Sequence, residues 1–226
     1  MTVYGGPDIV TDGLVLHLDA ANRKSYPGSG STWYDLSGND NNGVIKNATS
    51  FSNDAKGCLN FNAANNEEVW VTVPGVNTTA GGYNTVQFWM NWTGNASAFP
   101  MEFSQARLYY HPSVNAFGFN RGVGDLYGIP SGSSLAGSWR HIVAVFYNGS
   151  QTSNLLYVDG ISQSLSQRSN SSGSVDATSQ VTIAGHRASN TYGFSGKMAA
   201  FQIYNRKLSS DEVTQNYNAL KGRYGL

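Results

Sequence analysis

Carboxylates come first, because glycosidic bond cleavage needs two of them facing one sugar, about 5–9.5 Å apart. Glu67 and Glu68 are chain neighbours, so an extended strand points them to opposite faces. Glu102 stands by itself in Pro100-Met-Glu-Phe-Ser104. No Ser-His-Asp set and no nucleophile elbow is spelled out. The four histidines and one cysteine have no zinc-like spacing. These residues predict a protein without catalysis.

Oxygen donors for a hard cation are more plentiful. Asp35, Ser37, Asn39 and Asn41 fall at alternate positions, and Asp19, Asp159 and Asn190 are further Ca²⁺ candidates. The run is not an EF-hand: its sixth position is Asp40 instead of Gly, and its twelfth is Lys46 instead of Glu. The same Asp and Asn types also close turns by bonding their own backbone, and that reading stands beside the Ca²⁺ one.

Sugar recognition sets an aromatic face against the C–H side of a ring and amide, carboxylate, guanidinium or imidazole groups on its hydroxyls. Arg107-Leu-Tyr-Tyr-His111, with Arg121, Asp125 and Tyr127, mixes those types on consecutive predicted strands. Gly185-His-Arg-Ala-Ser-Asn-Thr-Tyr192 does so in a loop. Tyr109, Tyr110, His111, Arg121, Asp125, Tyr127, His186, Arg187, Asn190 and Tyr192 are therefore the candidate carbohydrate contacts. Packing inside a sandwich is the competing role for each aromatic residue among them.

The elements that must position these groups are β-strands. Trp139-Arg-His-Ile-Val-Ala-Val-Phe-Tyr147 places Trp139, His141, Val143, Val145 and Tyr147 on one face and Ile142, Ala144 and Phe146 on the other. Apolar on both sides, it predicts a mid-sheet strand covered on both faces. Leu155 to Asp159 returns as its hairpin partner, and Asp159-Gly160 suits a tight turn with positive φ. Further strands are predicted around Leu14–Leu18, Val44–Lys46, Leu59–Phe61, Val69–Val73, Tyr83–Trp92, Phe99–Phe103, Arg107–Tyr110, Val114–Phe119, Leu126–Ile129, Val181–Ala184 and Phe194–Asn205. Residues 20–43 and Gln163–Ala177 read as loops, the first anchored by Trp33 and Leu36. One helix is signalled, by a Ser209…Glu212 capping box, a Leu208/Val213 staple and a Val213, Tyr217, Leu220 stripe. It is expected to cover an open end of the sandwich. Residues 1–12 read as a polar arm that could join copies into a homo-oligomer, and 13–226 as one domain.

With 14 basic and 14 acidic residues in 226, and no Lys/Arg run, the chain lacks the electrostatic footprint of a nucleic-acid or anionic-membrane binder. No apolar stretch approaches the ~20 residues of a membrane helix. The start, Met1 to Pro7, has no basic and apolar leader pattern, which predicts a product made and kept in a reducing cytosol, or one that leaves it by another route such as lysis. Cys58 is expected as a buried, inert thiol.

Three separated segments resemble the laminin-G-like branch of the concanavalin-A-like lectins and glucanases. They are Gly13-Leu-Val-Leu-His-Leu-Asp-Ala20 with Ser25-Tyr-Pro-Gly-Ser-Gly30 and Trp33-Tyr-Asp-Leu-Ser-Gly38; Trp139 to Val145 with Leu156-Tyr-Val-Asp-Gly160; and Gly196 to Val213. The resemblance implies an all-β, two-sheet antiparallel jelly roll with one short C-terminal helix, and sugars held on a concave face or loop rim. Many such domains hold Ca²⁺ at the rim. Catalytic relatives place their acids as Glu-x-Asp-x-(x)-Glu on one strand, a run absent here. The version with the Ser25–Gly30 loop is similar to tailed-phage virion proteins. That implies a non-catalytic capsid-decoration or tail-attachment protein of the virion, with other virion subunits and host surface glycans as partners and weak glycan binding. A secreted or cell-surface lectin-like module and a glycoside hydrolase of the same fold are the alternatives.

Overall fold

The computed structural model describes residues 7–47, 49–122 and 124–226. Two large antiparallel sheets lie face to face. The eight-stranded sheet runs in the order Ile161–Ser162, Leu155–Val158, Trp139–Tyr147, Tyr83–Trp92, Gly196–Tyr204, Cys58–Phe61 and Ser50–Ser52, with Leu14–Asp19 also paired to Gly196–Tyr204. The nine-stranded sheet runs Ser166–Ser169, Leu126–Pro130, Ala116–Asn120, Ala106–His111, Met101–Phe103, Gln180–Ile183, Glu68–Thr72, Gly43–Lys46 and Thr32–Trp33. This is the jelly-roll sandwich that the sequence predicts.

Trp139–Tyr147 sits mid-sheet, between Tyr83–Trp92 and Leu155–Val158. Its Ile142, Ala144 and Phe146 face the inter-sheet core, where Phe146 meets Phe103 and Phe119 edge-on at 5.3 and 5.1 Å. Asp159 (φ 52°) and Gly160 (φ 79°) make the expected tight turn.

The opposite face of that strand is covered by the helix Ser210–Leu220, not left to solvent. The helix carries the predicted capping box and staple, but it lies on the outer face of the eight-stranded sheet instead of closing an end of the sandwich. The reason is the apolar surface already there: Val143, Val145 and Trp89 would otherwise be wet. A buried amide, Asn216, pins it. Its Nδ2 donates to Gln87 Oε1 (3.0 Å) and Tyr204 Oη (3.2 Å), and its Oδ1 accepts the Val10 N–H (2.8 Å).

That last bond corrects the polar arm. Residues 1–6 lie outside the described residues, but Asp8 and Val10 are tied to Gln215, Asn216 and Tyr204 and belong to the packed domain. Two predicted loops also contain strands, Thr32–Trp33 and Ser166–Ser169, each extending an edge of the nine-stranded sheet. Such two- to four-residue edge strands are too short to show a period. Within the first loop Trp33 is fully buried, whereas Leu36 is only half-buried. Cys58 is buried, and burial pushes its thiol pKa up, as an inert thiol requires.

Under the helix, His141 is fully buried and stacked on Trp89 (4.9 Å), and neither ring nitrogen has a hydrogen-bond partner among the described residues. Burial lowers its pKa to about 3. The unfolded chain takes up this proton near pH 6.5 and the folded one does not until about 3. Stability tied to His141 is therefore complete above pH 6.5 and lost on acidification, by about 1.4 kcal/mol per pH unit in that window. Urea unfolding at pH 7 and pH 4.5 should show a loss that His141→Phe reduces by about 2 kcal/mol.

Candidate functional site

The outer face of the nine-stranded sheet carries the site. Along Ala106–His111, Leu108 and Tyr110 enter the core, so Arg107, Tyr109 and His111 point outward. A loop returning over this face is closed at its base by Ala184 N–H donating to Pro100 O and Phe194 N–H donating to Ala184 O. Asn95 holds its far limb, accepting from Ser195 N–H (3.0 Å) and donating to Gly193 O (2.9 Å).

Between loop and sheet lies a solvent-open depression of about 350 Å³. One wall is aromatic: Tyr192 stacks on Phe99 (4.6 Å, 13°), and Tyr109 stands edge-on to Phe99 at 5.0 Å. Arg107, His111, Asn120, Arg121 and His186 supply polar groups around it.

Beside it Glu102, 1% exposed, is the hub of a charge cluster. Its Oε2 lies 3.1 Å from Arg107 Nε and 2.8 Å from His186 Nδ1, and its Oε1 accepts the Arg187 N–H at 3.0 Å. Burial opposes its charge, but His186, the Arg187 N–H and Arg107 outweigh burial and hold the carboxyl below its ordinary range. The cluster fixes Arg107 and the loop, and occupies three acceptor positions of Glu102.

Of the ten predicted sugar contacts, Tyr109, His111, Arg121, His186 and Tyr192 line the depression. The other five do not line it. Tyr110 packs in the core against Trp92 (4.6 Å). Tyr127 pairs with the core residue Phe119 and faces the inter-sheet side. Asp125 is fully buried, accepting the Arg121 N–H (3.1 Å), and shapes the turn beneath the site. Arg187 turns away onto the Trp70 ring. Asn190 is exposed and lines a shallower recess with Glu68. Sequence reasoning passed over Phe99 and Asn120, weighed Glu102 only as a hydrolytic carboxylate, and left Arg107 out of the contact set although it opens the Arg107–His111 run. Strand alternation puts Arg107 on the Tyr109 face and could have found it; the pairing of Glu102 with a loop 85 residues away has no local signal.

The Ca²⁺ candidates are not brought together. Asp35 accepts the N–H groups of His17, Ser37 and Asn41 and the Ser37 hydroxyl, so its oxygens close a turn. Asp19 pairs with Arg223 (2.7 Å), Asp159 with Arg140 (2.7 Å), and Asn39 bonds Ser37 at the surface. Among the described residues no three His, Cys, Asp or Glu side chains converge on a common point.

Two antiparallel sheets with an aromatic-walled hollow on one outer face define a lectin-like jelly roll. Residues 64–214 match the laminin-G-type model described as the concanavalin A-like lectin/glucanases superfamily, and the chain belongs to that family. No curated protein sequence matches it. Its fold is similar to three kinds of solved structure. One is the binding domain of botulinum neurotoxin DC in complex with rat synaptotagmin II (TM-score 0.64, 12% identity, 93% of this chain and 52% of that one). Another is Trypanosoma rangeli sialidase in complex with sialic acid (0.63, 19%, 93% and 33%). The third is domain 4 of the Geobacillus stearothermophilus extracellular arabinanase AbnA with arabinotriose (0.58, 15%, 90% and 98%). The chain spans about half the length of the neurotoxin binding domain. The fold thus occurs in binding domains and in glycosidase-related domains alike.

Glu102→Ala removes the counter-charge of the buried Arg107 guanidinium, leaving it only the Ser104 carbonyl among the described residues, and leaves the Arg187 N–H unpaired. It should cost about 3 kcal/mol in urea unfolding, and Glu102→Gln, which keeps the acceptor, less.

Proposed function

We propose that this domain is a non-catalytic carbohydrate-binding module, carried on the surface of a tailed-phage virion as a decoration or attachment protein. The observation that carries the binding reading is the wall formed by Phe99, Tyr109 and Tyr192 beside Arg107, His111, Asn120 and His186 in one open hollow. Aromatic faces take the apolar side of a sugar, and the surrounding donors and acceptors take its hydroxyls. An open hollow of this size suits weak binding of one or two sugar units. The arabinotriose and sialic acid complexes of similar folds agree with it. The virion placement is supported by the Ser25–Gly30 loop, and makes host glycans and neighbouring virion subunits the partners.

A hydrolytic reading has one observation in its favour. Glu68, its carboxyl raised by burial, and Glu102, held low, act on each other electrostatically, and unequal carboxyls are what acid–base work needs. It ranks second because Glu102 is 1% exposed and already engaged by Arg107, His186 and the Arg187 N–H.

A glycan array followed by calorimetry should find at least one ligand with affinity in the ~0.1–1 mM range, lost on Tyr109→Ala, with no reducing ends released. A blank array at that sensitivity defeats the binding reading; sugar release abolished by Glu102→Gln would put the hydrolase first. Antibody labelling of intact particles checks the virion placement.

A further inference from the structure

The same sheet face carries an arrangement the glycan reading does not use. Trp70 points outward from Glu68–Thr72, because Val69 and Val71 on either side enter the core. Lys46 Nζ stands 4.3 Å from the centroid of its ring, and the Arg187 guanidinium carbon 4.7 Å from a ring centroid of the same indole. Lys46 comes from the adjoining strand and Arg187 from the loop that walls the hollow.

Neither cation is in a salt bridge among the described residues. Arg187 donates one N–H to Val181 O (3.1 Å), and its Nε is buried with no acceptor. Glu68 is close by, but its Oε1 accepts the Trp70 indole N–H and so holds the ring in place. Two cations converging on one indole repel each other; Glu68, the register partner of Lys46, offsets part of that repulsion, and an anion between the two cations relieves more of it.

This cluster is continuous with the glycan hollow. A second depression of about 230 Å³ adjoins the first and shares Gln105, Arg107 and His186 with it. Its far side is formed by Arg187 and by Thr182, the register partner of Trp70. A chain leaving the Phe99–Tyr192 wall over Arg107 therefore arrives at Trp70.

We propose that Lys46, Trp70 and Arg187 form an anion subsite at the end of this trough, so that the glycan bound is an acidic polysaccharide bearing carboxylate or sulfate groups. This rests on the glycan-binding reading above. A guanidinium and an ammonium together suit such a group, the first by paired hydrogen bonds and the second as a point charge.

The test is affinity electrophoresis of the full chain in gels containing alginate, polygalacturonate, hyaluronan or polysialic acid, each against its methyl-esterified form, and dextran sulfate against dextran. At least one acidic polymer should retard the protein about tenfold more strongly than its uncharged counterpart. Lys46→Met and Arg187→Met should each bring the two within about twofold, as should raising NaCl from about 0.05 to about 0.5 M. Retardation by the sulfated polymer alone identifies sulfate as the group, and by the others carboxylate. Lys46 makes no buried side-chain bond, so its variant reports on binding even if Arg187→Met unfolds. Equal retardation by charged and uncharged forms, or a preference that survives Lys46→Met, overturns the subsite. If Tyr109→Ala still abolishes that retardation, the glycan reading stands without it. No retardation by any polymer, with a blank glycan array, removes both.

Discussion

Burial of the Trp139–Tyr147 strand on both of its faces is the constraint from which the architecture follows. One face needs a second sheet, and Phe103, Phe119 and their neighbours supply it. The other needs a cover, which the C-terminal helix and the segment through Val10 supply, locked by Asn216. A molecule built this way has one broad face left to solvent, the outer side of the nine-stranded sheet. The polar and aromatic side chains of Ala106–His111 collect there because strand alternation sends every second residue outward once Leu108 and Tyr110 are committed to the core.

The cover is held at a cost that marks where the fold is least satisfied. His141, the Trp89 indole N–H and the Tyr224 hydroxyl are buried between sheet and helix without partners among the described residues, in surroundings otherwise aromatic and apolar. Stacking compensates in part, since Trp89 lies 3.9 Å from the Tyr224 ring and 4.9 Å from His141. Neutral imidazole is tolerated there and imidazolium is not.

On the open face the electrostatics favour holding a ligand. Glu102 is ringed by Arg107, His186 and the Arg187 N–H, so its charge is spent on ordering the sheet and the loop. The aromatic wall is rigid for the same reason, because Tyr109 leaves a strand whose neighbours are packed and Tyr192 is clamped on Phe99. Preordered aromatic and polar groups keep the entropic cost of recognition low.

By itself the sequence determined the strands, the central hairpin with its Asp159-Gly160 turn, the capped helix and the inert Cys58, since these rest on period, turn chemistry and capping within a few residues of each other. It also marked five of the residues around the hollow by type. Only the tertiary structure decided that the helix lies on a sheet face, that Asp8 and Val10 are packed, and that Asp35 closes a turn. It also decided that Tyr110 and Tyr127 face inward while Arg107 faces out with Tyr109. Glu102, His186 and Arg187 meet because strand order brings residue 102 beneath a loop at 186, and Lys46 and Arg187 meet at Trp70 in the same way. Local pattern fixes which way a side chain alternates; which strand lies alongside it depends on register and sheet order, which are properties of the whole chain.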